Sequence, residues 1–321
     1  MRRRTLAAAT LAALSAPGLL RAQAWPERGF RLIVPYPPGG AVDGTARLFA
    51  ARLAAATGQG VVVENRAGGS GTIGGEFVRR AAPDGTTFLY SASIHVVLPM
   101  TVRNTPFDPL ADFVPVARVA EGPLLIVVNS AVPGATLAEV MAWAKANEAQ
   151  FNFATSSFGS AGHIVTEQLK RRFAINAPIA GYRGAAPAMN DVAAGAVQLM
   201  ADPILAALPV ARSGRVRAVA VTADARVPAA PDIPTVAESG VPGLTGFSWY
   251  GIWAPLGTPA PIVARLNALA NEAAGSAELG ERLATLGFSP VTGTPADFAA
   301  FQASEVARYG AIIREAGIQP E

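Results

Sequence analysis

The chain has 321 residues, 51% of them hydrophobic and 15% charged, a length for two domains and a composition for well-formed cores that excludes a disordered chain. Its formal charge of +3 sits in the first segment: without Arg2, Arg3, Arg4 and Arg21, 22 basic residues face 23 acidic ones, so nucleic acid is not an expected partner. Cysteine is absent, which rules out disulfides and thiolate metal sites and suits an oxidising compartment.

In chain order, the arginines at 2–4 precede a small-residue apolar stretch over 6–20 and then Ala22-Gln23-Ala24, the pattern of an export signal on residues 1–24 cleaved before Trp25. An apolar core of about fifteen residues is shorter than the ~20 that span a bilayer, so a soluble, exported protein is expected. The adjacent arginines leave both the general and the twin-arginine export routes open.

Next comes Arg31 to Arg47, RLIVPYPPGGAVDGTAR, a β-type run that breaks into a Pro/Gly loop and opens a helix near Asp43. The first amides of such a helix are unpaired and favour an anion, for which a carboxylate is suited. Further apolar β-rich runs cover 61–64, 87–91, 124–129, 151–155, 177–180, 197–201 and 216–222, alternating with helical stretches. Continuous hydrophobicity points to strands buried on both faces, hence an α/β fold with mainly parallel sheets and helices on both faces. The helix after Asp43 stops at Gly58, Thr136 and Glu139 form a capping-box pattern, and Ser160 is placed to cap a helix. Amphipathic helices are expected over 261–274, 277–286 and 295–316, packed outside the first sheet. Residues 117–123 and the proline-rich 227–242 are candidate connectors between domains.

Gly69-Ser70-Gly71-Thr72-Ile73-Gly74 matches the dinucleotide pattern G-x-G-x-x-G, but the next strand, TFLYSASIH, lacks the carboxylate that holds a ribose. A turn of purely structural purpose and an anion-cradling loop both fit it. His95 and His163 have hydroxyl neighbours, Ser91 and Ser93 for one, Ser156, Ser157 and Ser160 for the other. No serine has glycine two positions away on both sides, as the nucleophile elbow G-x-S-x-G requires, and no histidine has a zinc-type partner. A secreted hydrolase using these Ser/His loops is therefore the alternative function, and His163 is open to a structural or a ligand-facing role. The loops at 155–162 and 182–187 offer amides and hydroxyls, with Arg183 facing the cleft or its rim. Asp202 would repel a bare dianion, which argues for a donor on the ligand or a structural role. Phe247, Trp249 and Tyr250 serve either as core or as cleft wall.

PYPPGG before a helix-opening Asp, then VVVENRAGGSGTIG and GYRGAAPAMNDVAAGAVQLMAD, together resemble the Bug-type substrate-binding receptors of tripartite tricarboxylate transporters over nearly the whole mature chain. The resemblance implies a two-lobed periplasmic-binding-protein (Venus-flytrap) fold of class II: residues 25–120 plus 230–321 as lobe 1, and 121–229 inserted as lobe 2. It implies a periplasmic, non-enzymatic receptor without cofactor or metal, acting as a monomer, which captures a small carboxylate and docks on membrane transporter subunits. Carried onto this sequence, the ligand contacts are Tyr36, Pro38, Gly39, Gly40 and Asp43, then Gly68, Gly69, Gly71 and Thr72, then Ser91, Ser93 and His95. From the other lobe come Ser156, Ser157, Gly159, Ser160 and His163, then Tyr182, Arg183 and Gly184, with Asp202 beside them.

Overall fold

The computed structural model describes residues 25–244 and 246–320; the expected export signal lies outside the described residues. The apolar runs become strands β1 (Phe30–Val34), β2 (Val61–Asn65), β3 (Thr87–Ala92), β4 (Phe113–Val128), β5 (Phe153–Thr155), β6 (Ile179–Gly181), β7 (Leu199–Pro203), β8 (Arg217–Val221), β9 (Phe247–Pro255) and β10 (Ser289–Pro290). They form one continuous sheet in the order β2-β1-β3-β9-β4-β7-β5-β6, with β8 and β10 also pairing with β4. The pairs β1–β2, β1–β3, β5–β6 and β5–β7 are parallel. Every pair that includes β4 or β9 is antiparallel.

The expectation of mainly parallel sheets thus holds at the two ends and not in the middle. The reason is topological: the chain passes from one half to the other along β4 and returns along β9, so these neighbours run in opposite directions. Residues 117–123, expected as a connector, lie inside β4, which pairs with β9 over its first part and with β7 and β8 over Leu124–Val128. Pro115, Gly122 and Pro123 disguise this strand, since proline gives no ladder donor; irregular register near Pro115 and Arg118 accommodates the break.

The helices are α1 (Ala41–Thr57), α2 (Thr72–Arg79), α3 (Ile94–Thr101), α4 (Leu137–Ala146), α5 (Ala161–Arg172), α6 (Ala185–Ala194), α7 (Ile204–Arg212), α8 (Ala260–Ala274), α9 (Ala277–Thr285) and α10 (Pro295–Ala316). Gly58 closes α1 in the left-handed conformation, and both halves of the Thr136–Glu139 capping box form. Alternate residues of β4 serve two cores. Leu124, Ile126 and Val128 pack with Leu137, Val140 and Met141 of α4, while Leu125 and Val127 belong to the larger cluster that runs through the rest of the molecule. The last helix does more than cover the first sheet: α10 packs on β4, α3 and α5, and so bridges both halves. Trp249 Nε1 donates to Glu305 at 2.9 Å and Trp253 Nε1 to Gln302 at 2.7 Å, which fixes α10 against β9.

Candidate functional site: a cavity at the strand ends

Strands β1, β3, β5 and β7 each end at a cavity of about 100 Å³, the position where open α/β sheets bind ligands. The helices that follow start there, so that first-turn residues of α1, α3, α5 and α6 and the N-cap Pro203 of α7 border the same space. At Gly40, Ser93, Gly184 and Pro203 no side chain caps the helix, which leaves first-turn amides available; only Ser160 caps its own helix, accepting from His163 N at 3.1 Å. Between these polar ends the wall is made of small apolar groups such as Pro38, Ala41, Ala92, Ala161 and Pro187. Converging amide dipoles around a methylene-sized apolar wall suit an organic anion.

From the first half, Tyr36, Pro38, Gly40, Asp43 and Ser93 line the cavity as expected from the sequence. Gly39 adopts φ +86 and donates to Asp43 at 3.0 Å, so its role is to turn the loop. The Asp43 carboxylate also accepts two bonds from Arg47, at 2.8 and 3.1 Å, and one from Asn65 at 2.9 Å. Burial alone would raise its pKa, but these donors together hold it below the ordinary value, as an anion already engaged within the protein.

From the second half come Ser156, Ser157, Ser160, Arg183, Gly184 and Asp202. Arg183 is exposed at the rim and, among the described residues, forms no hydrogen bond or ion pair. Asp202 is 2% exposed and accepts a single hydrogen bond, from Ser156 Oγ at 2.7 Å. Burial pushes its carboxyl up to about 7, only partly offset by that serine.

The remaining expected contacts stand behind the wall. Gly68, Gly69, Gly71 and Thr72 form a tight left-handed turn against Tyr36, where a side chain at Gly71 would lie 3.0 Å from the tyrosine oxygen. Ser91 meets the same hydroxyl at 3.3 Å, so this second loop positions Tyr36 and does not itself line the cavity. His95 is enclosed by the rings of Phe107, Phe113 and Trp253, and burial depresses its pKa to about 3. His163 accepts from Gly159 N at 3.1 Å through Nδ1 and is held to about 4 by burial and by the Lys170 charge, a neutral brace for its loop. Tyr182 turns to Asp191 at 2.6 Å. Neither imidazole is bonded to a serine hydroxyl, so the hydrolase alternative has no base, and no metal-binding cluster occurs among the described residues.

Two polar lining residues escaped the sequence-derived list of contacts, Ser248 and Tyr250. Strand alternation was the available signal: Trp249 and Trp253 face α10, which turns Ser248 and Tyr250 to the other side. The Tyr250 hydroxyl is fully buried without a hydrogen-bond partner; Ser248 stands beside it, but the two do not meet in bonding geometry.

Residues 45–318 match the model of the tripartite tricarboxylate transporter family receptor. The chain belongs to this receptor family. It is 37% identical to protein BugT of Bordetella pertussis over 95% of this chain and 94% of that one. Among solved structures, Rpa4515 of R. palustris with adipate is 36% identical with a TM-score of 0.89, covering 92% of this chain and all of its own. MatC of Rhodopseudomonas palustris with bound malate is 32% identical with a TM-score of 0.83, over 90% of this chain and all of that one. The family and these neighbours place the chain among solute-binding receptors, and no helix among the described residues is long and apolar enough to cross a membrane.

Proposed function

We propose that the cavity captures a small organic acid between two lobes, residues 25–120 with 230–321 and residues 121–229, and that the closed, loaded protein is delivered in the periplasm to transporter subunits in the membrane. It acts as a monomeric receptor and not as an enzyme. The observation that carries this reading is the convergence of five helix N-termini on one cavity whose rim bears the unpaired Arg183. Each terminus contributes roughly 0.3–1 kcal/mol toward an exposed anion and up to about 2 in partly buried geometry. Five together approach the ~8 kcal/mol of micromolar binding once water is excluded. The carboxylates bound by the two structural neighbours, adipate and malate, support the same class.

Loops from both halves must touch the ligand, because a ligand shifts an open–closed equilibrium only by its differential affinity for the two states. The test is a thermal-shift series of mono-, di- and tricarboxylates on the mature chain. A ligand at about 100 times its dissociation constant stabilises by about 2.7 kcal/mol, a rise of several degrees in Tm. If no acid in the series moves Tm while an amine or sugar does, the reading is wrong.

A further inference from the structure

The polar groups of the cavity are of two kinds. Helix amides and Arg183 offer positive potential, whereas at the end of β7 the wall presents a carboxyl, Asp202, with Ser156 and Tyr250 beside it. Placing an anion against a second anion in a buried site is prohibitive, so Asp202 must lie away from the ligand, meet a donor on it, or carry a proton, and a fully ionised dicarboxylate such as adipate brings no donor. It cannot lie away, since it lines the cavity directly. Resting on the reading of the cavity as a carboxylate site, we propose that Asp202 in its acid form is a specificity-determining residue that donates a hydrogen bond to a ligand carboxylate, so that the receptor takes up one proton from solvent with its anion.

Burial favours the acid form, and the hydrogen bond from Ser156 offsets it only in part. Leu125 of β4 stands opposite Asp202 in the sheet, and β5 contributes only the neutral Ser156. Tyr250 of β9 and Tyr36 of the loop before α1 face it as phenols whose ionisation burial suppresses. Asp43 of α1 is an anion across the cavity, with its own lone pairs occupied by Arg47, Asn65 and Gly39. From α5, His163 and Glu167 are turned to each other and away from the cavity; α6 and α7 put no charged side chain into it, and Arg183 stays exposed at the rim. A carboxylic acid facing a carboxylate shares one proton across a short, charge-assisted hydrogen bond, and the pair titrates as a unit. The unpartnered Tyr250 hydroxyl is the second donor of this subsite.

The sign follows directly. Free Asp202 keeps its proton below about pH 7 and loses it above, so the anion meets a prepared donor at low pH and a like charge at high pH. Affinity for adipate, a dianion throughout this range, should fall by up to about tenfold per pH unit above pH 7. Calorimetry of adipate and of malate in buffers of different ionisation enthalpy should show uptake approaching one proton per ligand at about pH 8.5. Asp202→Asn keeps a donor and removes the titration, so its affinity should be level with pH and its proton uptake nil; Tyr250→Phe should bind more weakly with the wild-type pH slope intact. Binding without proton uptake, proton release on binding, or an Asp202→Asn variant that keeps the slope overturns this inference alone. If Asp202→Asn does not fold, the wild-type proton count still decides. Failure of every carboxylate to bind overturns instead the receptor reading beneath it.

Discussion

The loops at 68–72 and 156–160 are alike in composition, each a glycine- and hydroxyl-rich turn between a strand and a helix, yet one lies behind the cavity wall and the other forms it. The first follows β2, the edge strand, and reaches only the back of Tyr36. The second follows β5, next to β7, so Ser156 meets Asp202 and the start of α5 opens into the cavity. Local composition decides that a turn forms; the position of its strand in the sheet decides what the turn faces. A glycine-rich turn is therefore poor evidence of a ligand site until its strand has been placed.

The largest effect that tests this contrast is expected behind the second loop. Gly162 lets α5 pack on β7, and a methyl there would fall 2.0 Å from the Ala201 carbonyl oxygen. Gly162→Ala should cost about 3 kcal/mol in urea unfolding and take ligand binding with it. A near-neutral result would mean that α5 does not rest on β7 as described.

A middle-sized effect separates binding from folding. Gly40 has φ −83 and nothing within 4 Å of an added side chain, so Gly40→Val projects a branched group beside the cavity without strain. Carboxylate affinity should fall about tenfold or more, while unliganded stability changes by less than about 1 kcal/mol. Unchanged affinity by calorimetry would remove the first loop from the site.

The smallest effect belongs to the loop at the back. Thr72 starts α2 away from the cavity lining, and Thr72→Ala should alter carboxylate affinity by less than about twofold. A tenfold loss would restore the 68–72 turn to the binding surface and erase the contrast.

Much of the fold was legible because its signals are local. Gly58 ends α1, Thr136 and Glu139 box α4, and Ser160 caps α5, each within one turn of the chain. Strand β4 was half hidden because Pro115 and Pro123 look like loop residues, and only its long antiparallel pairing with β9 reveals a crossing strand. Of the contacts carried over from the family resemblance, those around the starts of α1, α3, α5 and α6 line the cavity, whereas His95, Ser91, Gly159, His163 and Tyr182 hold the wall from behind. Histidine among hydroxyl-bearing neighbours was an ambiguous sign. His95 shares its surroundings with Phe107, Phe113 and Trp253, residues far away in the chain that no local pattern could bring to it.

By itself the sequence determined the α/β class and the limits of several helices, because backbone geometry and capping depend on a few neighbouring residues. Tertiary structure alone decided which loop is wall and which is buttress, turned Tyr250 inward without a partner, and enclosed Asp202 so that burial raises the pKa of its carboxyl. Those properties arise from desolvation and from contacts between distant segments, and both exist only once the chain is packed.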